Sequence, residues 1–246
     1  MKYFFILSLL SVISINSVAS EAMSKKQELF ITQLITQQTK QQISVRKSIK
    51  SILSRYPEQI DKVLSIALTL HPEDYKQIML GAIDAQPVFA CNVMEHVLEQ
   101  DIASSTELIQ IVVEAEPAYA QEILATAAFH DPDNLEQLVR VTIQTEPLHS
   151  KDIMSSTMTS YPDRMIDILS GLIQAIPEKV SKWVSYTFLL FPDSGEQIVS
   201  TAVSSTNESH NQEIVNAAVN AGLDKDLAFS AAVDGGAPIE SLAQQK

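Results

Sequence analysis

The chain has 246 residues, of which 46% are hydrophobic, and a formal net charge of −13 from 17 basic and 30 acidic side chains. This composition is typical of a globular helical protein with enough chain to bury a continuous core. The acidic excess argues against a nucleic-acid partner, because phosphate binding requires clustered lysine and arginine.

The first twenty residues have the layout of a signal peptide. A lysine near the start precedes an apolar run from Tyr3 to about Ile15, and small residues follow. Such a run is short for a membrane span, so we expect residues 1–20 to be a signal peptide cleaved after Ala19 or Ser20, with Ala22 possible. The alternative is an uncleaved N-terminal anchor. No other apolar run reaches spanning length, so the sequence predicts no transmembrane segment and a periplasmic or secreted protein.

Residues 21–56 are predicted to form basic N-terminal capping helices. An amphipathic stretch from about Ala22 to Lys40 is followed by a segment from Gln42 to Tyr56 in the register of the repeats described next. Between Met23 and Lys62 there are eight basic residues and three acidic ones.

From residue 57 the prolines are separated by 15 or 30 residues. A fixed period of this kind indicates a repeat architecture, with ten 15-residue repeats over residues 57–206. Ile102 occupies one proline slot, and Asn207 stands where the series ends. The periodic prolines are Pro57, Pro72, Pro87, Pro117, Pro132, Pro147, Pro162, Pro177 and Pro192.

We count positions in each repeat from its proline position, which is zero, and call one position across all repeats a column. The sixth, seventh and eleventh columns are apolar in all ten repeats. The tenth holds small or medium side chains, and the fifth is polar throughout, from Lys62 to Gln197. These spacings predict a helix with one buried face. Proline suits the first helical position and forces the residue before it out of helical geometry, so each repeat should be one helix of about ten residues and a short turn.

Differences between alternate repeats indicate a true period of 30 residues, a helical hairpin. The even repeats, which start at 72, 102, 132, 162 and 192, share a polar twelfth column followed by a small residue, such as Asp84-Ala85. The fold class is therefore all-α, an α-solenoid of about 12–14 short helices stacked as 30-residue hairpins.

Over residues 42–206 this layout resembles the α-solenoid class that includes HEAT and TPR proteins. The tryptophan, glycine and tyrosine signature of TPR repeats is missing, so no ligand-binding position is carried over from it.

After residue 206 the period shortens to 13, with Ile214, Ala218 and Gly222 echoed by Leu227, Ala231 and Gly235. Since glycines suit helix C-termini, residues 207–236 are predicted to be two shorter capping helices. Residues 237–246 are predicted to be a flexible tail.

Two polar rows on the even repeats are the candidate interaction face. Between Lys76 and Arg140 there are eleven acidic residues and no basic one, so a basic protein or peptide is a possible partner. A solvated surface without a partner is the alternative, and contact between the basic cap and the acidic body of another copy would give head-to-tail self-association. The face comprises a twelfth-column row, Asp84, Glu114, Gln144 and Gln174, and a fifth-column row, Gln77, Glu107, Gln137 and Asp167.

The sequence predicts no catalytic, cofactor-binding or metal-binding residue. Its five histidines fall in separate repeats, and hydrolase, metalloprotease and phosphate-loop motifs are absent. The single cysteine, Cys91, lies in a mostly polar column, where it is either a half-covered inert thiol or, outside the cytoplasm, a residue that forms an intermolecular disulfide.

We therefore expect a non-enzymatic helical-repeat scaffold that binds a protein or peptide. The first alternative is a structural protein that assembles head-to-tail in the cell envelope or extracellular matrix, and the second is an enzyme with an unrecognised site.

Overall fold

The computed structural model describes the backbone of residues 10–242 and the side chains of residues 25–242. Within this range the chain forms fifteen α-helices and no strand, which confirms the all-α repeat fold. The helices are α1 (Leu10–Lys40), α2 (Val45–Arg55), α3 (Ile60–Leu70), α4 (Tyr75–Ala85), α5 (Ala90–Glu99), α6 (Ser105–Ala115), α7 (Ala120–His130), α8 (Leu135–Thr145), α9 (Ser150–Ser160), α10 (Met165–Ala175), α11 (Val180–Leu190), α12 (Gly195–Ser204), α13 (Asn211–Asn220), α14 (Lys225–Asp234) and α15 (Ile239–Leu242).

Helix α1 and helix α15 account for differences from the expected count of 12–14. Helix α1 begins at Leu10, inside the predicted signal peptide, whose first nine residues lie outside the described part of the chain. Helix α15 forms one turn inside the predicted tail, of which residues 243–246 are also outside it. Helices α13 and α14 lie where the two C-terminal capping helices were expected.

The chain divides into two compact units, Met1–Ile102 and Ala103–Lys246. The division falls at the slot that lacks proline. At this point Asp101 takes a positive φ of 52° in the turn before α6. The Ser104 hydroxyl then accepts a hydrogen bond from the Glu107 N–H at 3.3 Å. A serine side chain thus caps the helix that no proline starts.

Each proline starts a short 3-10 turn rather than the α-helix itself. Pro57–Gln59 is one such turn, and α3 begins at Ile60. The preceding Tyr56 has φ −133° and ψ 63°, so α2 ends before the proline as expected. The exception is Pro147, where the Glu146 carboxylate accepts from the Leu148 N–H at 3.0 Å and α9 follows without a 3-10 turn.

The columns predicted to be apolar form the core. All ten residues of the sixth, seventh and tenth columns are buried, and so is the eleventh except for Leu98. No residue of the fifth column is buried. The third column is an additional core position that the sequence pattern did not reveal, since it is buried in every repeat from Ala90 to Gly195.

In both compact units, alternate helices lie side by side. Helix α2 packs on α4 in the first unit, and α6, α8, α10, α12 and α14 follow one another in the second. We call each of these two rows the even layer of its unit. The odd layer contains α1, α3 and α5 in the first unit, and α7 beside α9 and α11 beside α13 in the second.

Glycines allow neighbouring even helices to approach closely. A Cβ added at Gly81 would lie 2.6 Å from the Arg46 carbonyl oxygen, and one at Gly171 would lie 2.5 Å from that of Glu136. Both glycines occupy the ninth column of an even repeat, so α4 meets α2 in the same way that α10 meets α8. The absence of a side chain at these points sets the spacing of α4 on α2 and of α10 on α8.

Candidate interaction surfaces

The structure places the eight residues of the predicted interaction face on α4, α6, α8 and α10, and none of them is buried. The fifth and twelfth columns are seven residues apart, which puts both rows on one side of each helix. Their side chains nevertheless have different roles.

Asp84 belongs to the contact between α2 and α4. Its carboxylate accepts two hydrogen bonds from Arg46, from Nε at 2.7 Å and from Nη2 at 2.9 Å. The hydrogen bond to Arg46 holds the pKa of Asp84 below its ordinary value and raises the pKa of Arg46. This bidentate pair lies beside the close approach at Gly81, and its carboxylate is largely occupied within the chain.

Gln174 has the equivalent position between α8 and α10. Its amide donates to the Glu136 carboxylate at 2.6 Å and to the Ser170 hydroxyl at 2.9 Å, and its oxygen accepts from Arg140 at 3.3 Å. Asp84 and Gln174 each bond to a residue 38 positions earlier in the chain. Two members of the predicted row are therefore recurring connections between even helices.

Other members of the face also have local partners, while some are open. Asp167 pairs with Arg164, and Glu114 accepts from the Gln110 amide at 3.0 Å. Gln77 and Gln144 are exposed. The face is thus a mixture of internally bonded and open groups rather than a continuous row of free ones.

One serine–histidine contact lies in the first compact unit. The Ser65 hydroxyl lies 2.9 Å from His96 Nε2, but it donates to the Asp61 carbonyl at 2.8 Å and so accepts from the histidine. A nucleophilic serine needs the opposite polarity, with the histidine taking its proton. Ser65 also lies within α3, where the backbone N–H groups bond along the helix rather than forming an oxyanion hole.

The remaining histidines have local neighbours. His71, Glu73 and Asp74 place potential ligand atoms within 4.8 Å of one another on the turn before α4, where Glu73 is exposed. His149 and His210 contact Glu146 and Glu213 at 3.2 and 3.4 Å. Cys91 is half-buried on α5, and its pairing across two copies stays a prediction.

The largest change from the sequence interpretation is an open groove of about 710 Å³ between α11 and α13 in the odd layer. We call it the amide groove, because hydroxyl and amide side chains dominate its lining. They are joined by one tyrosine and two charged residues. The lining includes Ser181, Lys182, Ser185, Tyr186, Ser209, Gln212, Glu213, Asn216 and Asn220.

Three amides form a ladder along this groove. Gln212, Asn216 and Asn220 are four residues apart on α13, so they share one side of the helix. The Gln212 amide donates to Asn216 Oδ1 at 3.0 Å, whereas Gln212 Oε1 is buried and has no hydrogen-bond partner. On the α11 wall, Tyr186 has the Lys151 ammonium of α9 at 4.7 Å from the centre of its ring.

Sequence reasoning missed the amide groove because its residues carry no motif. On α11 only Lys182 occupies the fifth column, which was predicted to be polar, and the α13 residues belong to the segment predicted to form capping helices. The available signal was chemical, since neutral hydrogen-bonding side chains dominate this stretch, whereas the predicted face contains four carboxylates and four amides.

No family model, curated protein or solved structure matches this chain. Among the described residues there is also no helix with the length and apolar character needed to cross a membrane. The likeness to HEAT and TPR proteins therefore stays one of hairpin layout, and function has to be inferred from the surfaces themselves.

Proposed function

We propose that this protein is a non-enzymatic binding scaffold that holds an extended peptide segment of a partner protein in the amide groove. The observation that carries the proposal is the ladder of Gln212, Asn216 and Asn220 beside an open groove. The predicted signal peptide supports action in the periplasm or outside the cell.

The spacing of the ladder suits a peptide main chain. Four residues of α-helix advance about 6 Å along the axis, and two residues of an extended peptide advance about 6.6 Å. Successive amides on α13 can therefore meet alternate residues of a bound strand. Each side-chain amide offers a donor and an acceptor, which matches the N–H and C=O of a peptide group.

Charge contributes little to this mode of binding. Lys182 and Glu213 lie on opposite walls of the groove, and the rest of the lining is neutral. The expected ligand is a polar peptide with one apolar side chain that packs against Tyr186, and its affinity should depend weakly on salt. The basic partner suggested by the acidic stretch between Lys76 and Arg140 would instead bind carboxylates of the even repeats.

The test is selection from a random peptide library against the purified chain, followed by titration of the selected peptides. Loss of a buried hydrogen-bonding amide costs about 1–3 kcal/mol, so Asn216→Ala should weaken binding by about 5- to 150-fold. Tyr186→Ala should also weaken it. Gln144→Ala, on the even layer, is the matched control and should leave binding unchanged.

Unchanged affinity in both groove variants would contradict the proposal, and a loss in Gln144→Ala would move the site to the even layer. The protein for this screen should be recovered from the periplasm or medium of a secreting host. Its mass then also tests cleavage after Ala19 or Ser20.

A further inference from the structure

Helix α14 buries its small apolar side chains completely and its large apolar ones only in part, and Phe229 lines a groove with Val215, Val219 and Leu242. Ala228, Ala231 and Ala232 are buried, whereas Phe229 and Val233 are each 37% exposed. Leu227 is 45% exposed on the same helix. A surface helix normally buries its largest apolar residues, and one that is apolar all round is normally covered on both sides. The outer face of α14 therefore has the character of an interface.

A groove between α1 and α2 offers exposed aromatic rings in the first compact unit. We call it the aromatic groove, since the exposed rings of Phe30 and Tyr56 meet edge to face with centroids 6.4 Å apart. Its volume is about 580 Å³; Leu34 and Ile52 add apolar lining, and Gln38, Ser51, Ser54 and Arg55 add polar lining. A second groove of about 260 Å³ adjoins it and shares Phe30, Ile52 and Tyr56.

The two surfaces carry opposite charge. The stretch that builds the aromatic groove, Met23–Lys62, has eight basic residues against three acidic ones. From Asn207 to Leu242 there are six acidic residues and one basic residue. Asp226 and Asp234 lie at either end of the outer face of α14, and both are exposed. Opposite charge around two apolar surfaces favours one orientation of contact.

We propose that the outer face of α14 in one copy of this protein docks in the aromatic groove of a second copy. Phe229 and Val233, one helical turn apart, enter between α1 and α2, and the carboxylates of α14 face Arg55 in the lining. The two surfaces are unlike, so each bound copy still offers one free surface. The contact can therefore add further copies head to tail.

The test is sedimentation velocity of the purified full chain, with reductant present so that Cys91 cannot form a disulfide. We compare ionic strengths of about 0.01 M and about 1 M, between which the screening length falls from about 30 Å to about 3 Å. We expect concentration-dependent association at low salt and weaker association at high salt. Phe30→Ser and Phe229→Ser should each raise the dissociation constant by at least about thirtyfold, the loss of a central aromatic anchor.

Mixing the two variants separates a lost interface from a damaged fold. Phe229→Ser keeps an intact aromatic groove and Phe30→Ser keeps an intact α14, so an equimolar mixture should form dimers that neither variant forms alone. Phe129→Ser is the matched control, because Phe129 is 77% exposed on α7 and belongs to neither surface. It should associate like the unaltered chain.

Three results would overturn the proposal. The first is a monomer at low salt at every accessible concentration, and the second is an equimolar mixture that stays monomeric. The third is association that Tyr186→Ala abolishes, which would place the second copy in the amide groove.

Discussion

Replacing Gly171 by alanine should destabilise the second compact unit, although glycine to alanine normally stabilises a helix. In a free helix the change is worth about 1 kcal/mol in favour of alanine. At this position the new methyl carbon would lie 2.5 Å from the backbone oxygen of Glu136, where ordinary contact begins at 3.4 Å. Two atoms of Val139 lie within 3.2 Å of the same point.

The Glu136 carbonyl belongs to the backbone and cannot rotate away from the new methyl group as a side chain could. Helices α8 and α10 therefore have to separate. Overpacking of a close contact costs about 1–3 kcal/mol, which exceeds the propensity gain over most of its range. The separation also strains the bonds that Gln174 makes to Glu136 and Arg140. Subtracting the propensity gain of about 1 kcal/mol leaves an expected net loss of up to about 2 kcal/mol in the free energy of unfolding.

The assay is urea denaturation followed by far-UV circular dichroism, with Gly195→Ala as the matched control. At Gly195 the nearest atoms belong to the side chains of Leu223 and Phe188, at 2.9 and 3.1 Å, and these can move. Gly195→Ala should thus be near neutral or stabilising. If Gly171→Ala leaves the midpoint unchanged or raises it, the spacing of α8 and α10 is not limited by the glycine.

Two further predictions concern the ion pair between α2 and α4 and the N-terminal cap of α6. A double-mutant cycle with Arg46→Gln and Asp84→Asn should give a coupling of about 0.2–1 kcal/mol at neutral pH, since both groups are partly exposed. The pKa of Asp84 is lowered in the folded state, so this coupling is present above the ordinary aspartate pKa and is lost as pH falls through the folded pKa. A coupling energy that persists in acid would refute the ion pair between Arg46 and Asp84. Ser104→Ala removes the cap of α6 and should lower stability by about 1 kcal/mol, read as a lower denaturation midpoint, whereas Ser155→Ala, on the exposed side of α9, should not.

The core of the repeats could be predicted from sequence because its signal is periodic. Apolar side chains at fixed distances from each proline identify the buried face without knowledge of neighbouring helices. The third column escaped because Ala90, Ser105 and Gly195 have little hydrophobic character of their own. Their burial follows from the packing of adjacent helices, which the pattern of one helix does not contain.

The structural role of the periodic prolines was predicted in part. Its ability to end the preceding helix depends on local sterics, so this expectation held. The 3-10 turn between proline and α-helix was not expected, since proline is equally compatible with the first position of either helix type. The two differ only by the hydrogen bonds that follow, such as Gln59 N–H to the Tyr56 carbonyl at 3.1 Å.

The candidate surfaces were harder to predict than the core. The sequence identified Asp84 and Gln174 as a polar row, but their bonding to Arg46 and Glu136 depends on the register between hairpins. The amide groove likewise depends on the gap between α11 and α13. The register and the spacing between helices that are distant in sequence cannot be predicted from the composition of one helix.

The proline turns also limit how the length of this chain can change. One residue added within a helix would rotate every later side chain in it by about 100° and turn buried columns outward. A whole hairpin added or removed between two turns would leave all other helices facing the same way. The gene can therefore gain or lose thirty-codon blocks more easily than single codons.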